Sequence, residues 1–527
     1  MMAFFTSVAA RAGADWPYRL AAGCFFGVVA LVYYLPALGW LPRGIHEWAQ
    51  ADRLALAISF YDHGLHLFRP QTLSLSSVDG VVGVELPLLP YLAALGAKLA
   101  GRATLVPLYR LLTIGMAWLA QYYLFRLVFE RSRQFAAALL PGLFLAVSPV
   151  FAYYAGNFLP DPASAALVLV ATYYLLRFRP GQPFGPLVVA ILLFTLATLI
   201  KLSAGIYLLA GLGTVLLWGY LQPAAFALRQ RLLLLLLTGA SLGAVVGYTL
   251  YNQYLNEVYH SSLFLARPLP IESAEQYQRI VRHIEELWVG EYFVPFQYRL
   301  LLASALICLL SLPRLVRTEW VWVAQLGLAT IGALAFFRLM GVQFFDHDYY
   351  VLASFWPGLV LLVALATTQL ALRLAAAPGL LRSALFGAAL GALLATGLPR
   401  YRARTGSVYP PFSDYYSYRW MQGGAAQLAA AQVPATATVL VLGEEAPNLS
   451  LVYFDRRGLV WNASDEEEEP GNVLQKMTDV GLDYLVLQRS TLQGIVRRYP
   501  AFLAPFRTTV SNPRYVVLQR LNAPKHW

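Results

Sequence analysis

The sequence predicts an all-α polytopic membrane protein with a small C-terminal extracytoplasmic α/β domain. Three observations support this fold class. The 527 residues are 58% hydrophobic and only 13% charged, whereas soluble proteins carry about 25% charged residues. The apolar residues form about eleven segments that approach the ~20 residues needed to cross a bilayer. After Pro399 the apolar segments give way to short β-branched runs bounded by turn residues.

The membrane-spanning segments follow directly from the apolar runs. They are predicted at roughly 20–40, 105–128, 134–154, 163–178, 185–201, 203–221, 232–251, 299–315, 320–338, 349–372 and 383–398. A further apolar segment, 86–101, is short, and Pro87 and Pro90 interrupt its first turns. We interpret it as an interfacial or re-entrant helix. No small-residue cleavage site follows the first apolar segment, which favours a retained anchor.

The distribution of arginine predicts the orientation in the membrane. If 86–101 does not cross and the N-terminus is cytoplasmic, the basic clusters of alternate connections all fall on the cytoplasmic side, as the positive-inside bias requires. The protein is then a multi-pass protein of the inner (plasma) membrane with an extracytoplasmic C-terminal domain. The same clusters account for the net charge of +11, so the charge gives no reason to expect a nucleic-acid partner.

The predicted domains are 1–399, a transmembrane domain, 400–434, a linker, and 435–527, an extracytoplasmic α/β domain. Strands are expected at 435–443, 451–461, 483–488 and 514–521. A helix is expected near 471–480 with Gly481 as its C-terminal stop. The acidic run 465–469 is expected to be a solvated loop.

The first polar loop holds the most unusual concentration of functional groups. His46, Glu47, Asp52 and Glu85 lie in it, and Trp48 and Gln50 could pack around or position them. Glu47 and Asp52 are five residues apart, or ~140° on a helix, so only one of them is expected to face a reaction centre. Alternatively, these are exposed polar residues at an interfacial helix start, where a glutamate favours the helix dipole.

Further polar groups lie at the predicted outer ends of spans, and each has a structural alternative. Asp161 precedes Pro162 and could serve only as a helix N-cap. Lys201 could neutralise a lipid phosphate or simply reach the membrane surface. The stretch Asp346–Tyr350 contains candidates for binding a sugar, a phosphate or a cation, or forms an interfacial tyrosine belt. These candidates are His347, Asp348, Tyr349 and Tyr350.

Two other stretches suggest lipid contacts. Arg400, Arg402 and Arg404 lie on the predicted outer side, where arginine can hold phosphate in two hydrogen bonds; anchoring to lipid headgroups is the alternative. The stretch 272–288 has amphipathic helical spacing and is expected on the outer surface, as a possible lid. The spans themselves carry few charges near the midplane, which disfavours a transporter.

The motifs resemble the GT-C superfamily of integral-membrane glycosyltransferases, which includes dolichyl-phosphate-mannose protein mannosyltransferases and aminoarabinose–lipid A transferases. A bacterial subgroup carries H-x-W-R-Q-T-D in its first loop and then G…E-F-P. The corresponding stretches here are HEWAQAD (46–52) and GVELP (83–87). Pro160-Asp161, Lys201 and HDYY (347–350) also match. The sequence departs from the motif at Ala49, which replaces its arginine, and at Leu86, which replaces its aromatic residue. His46-Glu47 stands where the wider family has an Asp-Glu pair.

The resemblance implies transfer of a sugar from a polyprenyl-phosphate donor to an envelope glycan, lipid or protein acceptor, usually with inversion. An outer-loop carboxylate would be the general base, and Asp52 is slightly preferred over Glu47. Asp161 would orient the acceptor or a cation, and Lys201 with the arginine cluster would hold phosphate. Some members use a divalent cation such as Mg or Mn and others do not, so the cofactor stays open. A flippase for lipid-linked glycans, a membrane scaffold and an inactive paralogue are the alternatives.

Overall fold

A computed structural model describes residues 15–264, 267–406, 417–464 and 466–521 of the chain. Contacts within the chain divide it into two compact units. The first unit comprises 1–38, 110–249 and 266–406, and the second comprises 39–109, 250–265 and 407–527. This division joins the first polar loop and the C-terminal region in one unit. The sequence-based boundaries at 399 and 435 remain a prediction about domains.

Helices dominate the chain as far as residue 406. In chain order they are α1 (Trp16–Tyr34), α2 (Glu47–His63), α3 (Leu88–Ala100), α4 (Leu105–Ser132), α5 (Phe135–Val147), α6 (Pro149–Ala155), α7 (Asp161–Arg177), α8 (Gly185–Ile200), α9 (Gly205–Leu221), α10 (Leu228–Val258), α11 (Ala274–His283), α12 (Val289–Tyr292), α13 (Pro295–Thr318), α14 (Trp320–Met340), α15 (Gln343–Asp346), α16 (Val351–Ser354), α17 (Trp356–Arg373) and α18 (Gly379–Thr405). Each of the predicted spans coincides with one of these helices or with a pair of them.

The chain is a multi-pass membrane protein. Within its described residues, eight helices are long and apolar enough to cross a membrane, and a ninth candidate is the bent pair α5–α6. The helices α7 and α8, predicted as spans, have 17 and 16 residues. Nearly every residue of α7 is buried, which places this helix inside the bundle.

The predicted span 134–154 is not one straight helix. It is broken at Ser148 into α5 and α6, which meet at 74°. Ser148 has ψ 119°, outside the helical region, and Pro149 begins the next helix where its missing N–H costs no hydrogen bond. The Ser148 hydroxyl donates to the Tyr292 carbonyl at 3.0 Å and accepts from Trp356 Nε1 at 2.9 Å. The break is therefore anchored by two buried hydrogen bonds.

The predicted amphipathic stretch 272–288 is helical. Ser273 Oγ accepts a 3.1 Å hydrogen bond from the Gln276 N–H and caps α11. A π-helical turn, Ile284–Trp288, continues it. The apolar segment 86–101 is likewise helical from Leu88, directly after Pro87. Their positions relative to a bilayer remain predictions.

The C-terminal part of the second unit is the expected α/β structure. Its elements are α19 (Gly424–Ala430), β1 (Val439–Leu442), α20 (Leu449–Phe454), β2 (Gly458–Trp461), α21 (Pro470–Val480), β3 (Tyr484–Gln488), α22 (Arg489–Arg498), β4 (Phe506–Ser511) and β5 (Tyr515–Arg520). The sheet order is β2-β1-β3-β5-β4. β1 is parallel to β2 and β3, whereas β5 is antiparallel to β3 and β4.

Of three sequence-based details of this region, one is wrong, one fails at a single residue and one is confirmed. The predicted strand 451–461 contains α20 before β2, because a short, fully buried apolar run does not by itself distinguish a helix from a strand. In the acidic run, Glu466, Glu467 and Glu469 are exposed as expected, whereas Glu468 is buried and paired with Arg498; Asp465 lies outside the described residues. Gly481 ends α21 at φ 72°, as predicted.

Candidate active site

The carboxyl group of Glu47 is enclosed by backbone and side-chain donors of the second unit. Oε2 accepts from the Gly44 N–H at 3.1 Å. Oε1 accepts from Ser417 Oγ at 2.8 Å and from the Tyr418 N–H at 3.0 Å. Glu47 is therefore buried and ties the start of α2 to residues 417–418, which contradicts the alternative that it is an exposed polar residue.

Asp52 lies one turn further along α2 and is also buried, with 5% of its surface exposed. Asn448 Nδ2 donates a 2.9 Å hydrogen bond to Asp52 Oδ1. In the described part of the chain, this is the one hydrogen bond to the Asp52 side chain. The two carboxyl groups thus differ as their spacing on α2 predicts: the Glu47 oxygens accept three hydrogen bonds, and Asp52 accepts one.

Burial raises the pKa values of both carboxyl groups, but by different amounts. Desolvation raises the pKa of Glu47 from 4.5 to about 8, although its three hydrogen bonds favour the charged form. Desolvation raises the pKa of Asp52 from 3.8 to about 6, and the Asn448 hydrogen bond and the charge of Arg53 oppose the rise. At neutral pH, Glu47 is mainly protonated and Asp52 mainly ionised. Asp52 is the better proton acceptor, because a general base must be ionised and works best with a pKa near the working pH.

Glu85 and Gln50 of the first loop make further contacts around the start of α2. Glu85 Oε2 accepts from Arg53 at 2.7 Å, and the Arg53 guanidinium lies 4.6 Å from the centre of the Phe264 ring. Gln50 Nε2 donates to the carbonyls of Arg43 at 3.2 Å and Ile45 at 3.1 Å. Gln50 therefore holds the segment just before α2.

His46 directly precedes α2 and has a left-handed backbone, with φ 52°. Its ring meets that of Trp48 edge to face, with the ring centres 6.3 Å apart. The strained conformation turns the chain into the helix, so His46 contributes at least to the shape of the loop.

Asp161 and Lys201 form an ion pair within the first unit. Lys201 Nζ lies 3.7 Å from Asp161 Oδ1 and 5.5 Å from the centre of the Tyr350 ring. Asp161 is the first residue of α7, and Pro160 occupies the N-cap, so the N-cap alternative is wrong for Asp161. Lys201 follows the last residue of α8 with extended backbone angles. Two helix ends thus bring these charges together.

A second charged cluster of the first unit contains two arginines and two acids. Arg404 donates to Glu291 Oε2 at 2.6 Å and to Asp348. Arg400 also donates to Glu291, and the Tyr154 hydroxyl donates to Asp348 Oδ1 at 2.6 Å. Arg404, Glu291 and Asp348 are all buried. The positive charge of Arg404 is therefore balanced by carboxylates of the chain itself, which weakens the prediction that it binds phosphate.

The remaining predicted residues of the first unit lie around this cluster. Arg402 is exposed. The His347 ring nitrogen Nδ1 is 3.0 Å from the Gln343 carbonyl oxygen, and its ring centre lies 5.4 Å from that of Tyr349 and 5.3 Å from that of Tyr350. The HDYY stretch is therefore a packed aromatic turn with one buried acid.

Sequence reasoning did not identify Asn448, Ser417 or Glu291. Asn448 lies in the loop after β1, and loops after the carboxyl ends of parallel strands commonly carry functional groups; this signal was available. Glu291 stands alone in WVGEYFVP, and a carboxylate in such an apolar run requires a charged partner if it is buried. For Ser417 no local signal exists.

No cluster of metal-ligating side chains is found among the described residues. Within these ranges, no group of three or more His, Cys, Asp and Glu side chains is placed to hold a metal ion. Asp161, which the resemblance implies could orient a cation, is paired with Lys201. Whether a divalent cation such as Mg or Mn takes part stays open, as the resemblance left it.

Comparison with known proteins first defines the class of fold. The family model for dolichyl-phosphate-mannose-protein mannosyltransferase matches residues 85–247. No curated protein sequence matches the chain. The resemblance to the GT-C glycosyltransferases is confirmed by this family model together with the similarity to solved structures.

Two of these structures were solved with lipid phosphates bound. ArnT from Cupriavidus metallidurans bound to undecaprenyl phosphate has a TM-score of 0.53 and 16% identity, covering 94% of this chain and 97% of that one. The oligosaccharyltransferase AglB from Archaeoglobus fulgidus, in complex with an inhibitory peptide and a dolichol-phosphate, has a TM-score of 0.51 and 12% identity. That match covers 89% of this chain and 69% of AglB. At these identities the similarity establishes the fold.

Proposed function

We propose that the protein is a glycosyltransferase that moves a sugar from a polyprenyl-phosphate donor to a hydroxyl of an envelope glycan, lipid or protein, with inversion. The observation that carries this proposal is the environment of the Asp52 side chain. It is a buried carboxylate with a pKa of about 6 and one hydrogen bond from the chain, in a fold shared with proteins solved with undecaprenyl phosphate and dolichol-phosphate. A lipid phosphate is a suitable leaving group for such a transfer.

Asp52 is the general base in this mechanism. It takes the proton of the acceptor hydroxyl while the acceptor oxygen bonds to the anomeric carbon of the sugar. The bond between that carbon and the phosphate oxygen breaks, and its electron pair leaves with the polyprenyl phosphate. Such proton transfer typically contributes ~10²–10⁴-fold to the rate.

The leaving phosphate gains negative charge and needs a cation. Lys201 is the proposed partner, as the resemblance implies: its contact with Asp161 Oδ1 is 3.7 Å, longer than the 2.6 Å hydrogen bond from Arg404 to Glu291, and its ammonium group can stabilise developing charge. Arg402 is the second candidate, since it is the exposed member of the arginine cluster. Arg400 and Arg404 instead bind Glu291, so we assign them a structural role.

The experiment is a transfer assay in membranes that contain the full-length protein. A panel of undecaprenyl-phosphate sugars, each labelled in the sugar, is supplied with an envelope extract. The proposal predicts that one labelled sugar becomes covalently attached to an acceptor and that undecaprenyl phosphate is released in equal amount. Movement of a labelled lipid across liposomes without any covalent product would instead establish a flippase and overturn the proposal.

A further inference from the structure

A side chain of the C-terminal α/β structure, Asn448, donates a hydrogen bond to the proposed base, Asp52. Asn448 stands at the start of α20 and is fully buried, and its Nδ2 donates to Asp52 Oδ1 at 2.9 Å. Both residues belong to the second unit. No other hydrogen bond from the described chain reaches the Asp52 carboxylate.

The orientation of the Asn448 amide is fixed by a second hydrogen bond. The Ser74 N–H donates to Asn448 Oδ1 at 3.0 Å. A backbone N–H can only donate, so the oxygen of the amide must face Ser74 and the NH₂ group must face Asp52. A flipped amide would place its oxygen against the Asp52 carboxylate and its NH₂ group against the Ser74 N–H, so neither hydrogen bond could form. The amide can therefore donate to Asp52 but cannot accept a proton from it.

Ser74 is itself held by the sheet. The Leu75 N–H donates to the Gly458 carbonyl at 2.7 Å, and the Gly458 N–H donates to the Leu73 carbonyl at 3.1 Å. These bonds attach residues 73–75 to β2 as a parallel bridge. Gly458 also permits the close approach of β2 to β1, since a Cβ there would overlap the Val439 carbonyl oxygen. The first loop, the sheet and α2 are thus joined through Asn448.

We propose that Asn448 is a positioning residue for Asp52, by which the C-terminal α/β structure orients the catalytic carboxylate and keeps it ionised. This inference rests on the proposed function. A donor to a carboxylate stabilises its charged form and orients its oxygens, so Asn448 holds Oδ1, and Oδ2 accepts no hydrogen bond from the described residues. Without the Asn448 donor, the pKa of Asp52 rises, so the carboxylate is ionised and can act as a base only at higher pH.

The surrounding charges do not replace this effect. Arg53, on α2 itself, lowers the pKa of Asp52 less than the Asn448 hydrogen bond does and also pairs with Glu85. α3 and α20 pack against α2. Lys98 of α3 lies 4.8 Å from the centre of the Tyr61 ring, and Tyr453 of α20 donates to the Pro42 carbonyl at 2.8 Å. Asp455, which follows α20, is paired with Arg102.

The test compares Asn448→Ala and Asn448→Asp with Ser450→Ala, using full-length protein in membranes. Ser450 is a matched control because it is buried in α20, two positions after Asn448, and its hydroxyl has no hydrogen-bond partner among the described residues. The acidic limb of the kcat/KM against pH profile should move to higher pH by about one unit in Asn448→Ala. It should move further in Asn448→Asp, which places a second carboxylate beside Asp52. Ser450→Ala should leave the profile unchanged.

A second measurement does not depend on turnover. Carbodiimide-promoted labelling of Asp52, followed by peptide mass spectrometry across a pH series, reports the protonation of this residue directly. Labelling should persist to higher pH in both Asn448 variants. Unchanged labelling and rate profiles in the variant that folds would overturn the inference. The proposed function fails separately, if Asp52→Asn retains full transfer activity.

Discussion

Asn448 donates its side-chain amide to the carboxylate of Asp52 across 2.9 Å, although 396 positions of sequence separate the two residues. The same region ties Glu47 to Ser417 and Tyr418. Glu47 and Asp52 therefore both accept hydrogen bonds from residues beyond position 416. The C-terminal part of the second unit is a component of the candidate site, not an appended binding module.

Replacing Glu47 with Gln should change how stability depends on pH. The pKa of Glu47 rises from 4.5 to about 8 on folding, so the folded state binds the proton more tightly than the unfolded state does. The stabilising contribution is complete below the ordinary pKa and is lost as the pH rises toward 8. Glutamine does not titrate. The stability of the wild type relative to Glu47→Gln should therefore fall by about 4 kcal/mol between pH 5 and pH 9.

Thermal unfolding of the detergent-solubilised protein at several pH values measures this difference. A matched variant, Glu257→Gln, alters an exposed acid of the same unit and should show no such trend. If the difference between wild type and Glu47→Gln is constant with pH, the raised pKa is wrong.

Gly458→Ala should weaken the attachment of residues 73–75 to β2. The added methyl group would overlap the Val439 carbonyl oxygen, so β2 must shift away from β1. The expected loss of stability is about 1–3 kcal/mol, typical of overpacking. Gly471→Ala is the control, since its Cβ would meet nothing within 4 Å. Chemical denaturation followed by tryptophan fluorescence compares them, and equal midpoints would contradict the described register of the sheet.

Glu291→Gln should destabilise the first unit strongly. Glu291 pairs with both Arg400 and Arg404, and Arg404 is fully buried. Removing one partner of a buried ion pair leaves an uncompensated charge and costs about 3–5 kcal/mol. Glu286→Gln, which alters an exposed acid five positions earlier, should be close to neutral. The yield of monodisperse protein and its thermal midpoint give the comparison, and a stable Glu291→Gln variant would show that the network is not needed for folding.

Lys201→Met should impair use of the donor, whereas Lys201→Arg should retain part of it. Lys201 keeps its position through Asp161 and Tyr350, and loss of its charge removes an electrostatic contact to the leaving phosphate. We expect kcat/KM for the polyprenyl-phosphate sugar to fall by about 100-fold or more. The control is Lys476→Met on α21. Equal kcat/KM for Lys201→Met and the wild type would remove Lys201 from the mechanism.

Much of this fold is predictable because membrane spans need long apolar runs, which leave a strong local signal. The break between α5 and α6 was missed although Pro149 stands there, since a proline can also begin a helix without ending a span. α20 was missed because LSLVYF (449–454) is apolar except at Ser450 and suits either a buried strand or a buried helix. β4 alternates only weakly, so an edge strand with exposed Arg507 and Thr508 left little pattern.

The candidate site was only partly predictable. The acids of the first loop stand out because charged side chains are scarce in this chain. Their partners do not, since Asn448 and Ser417 are ordinary polar residues that become informative only through contacts across hundreds of positions. Helix geometry alone predicted that Glu47 and Asp52 point in different directions, and their hydrogen-bond partners differ; that only one of them faces a reaction centre stays a prediction. The roles assigned to these residues remain predictions.

The most direct test of the central claim is single-turnover sugar transfer by Asp52→Asn and Glu47→Gln, measured beside the wild type at neutral pH in membranes with matched protein levels. The account predicts that Asp52→Asn loses about 100-fold or more of the transfer rate. It predicts that Glu47→Gln, whose side chain is already uncharged at this pH, keeps a rate close to that of the wild type. Full transfer by Asp52→Asn would contradict the assignment of Asp52 as the base.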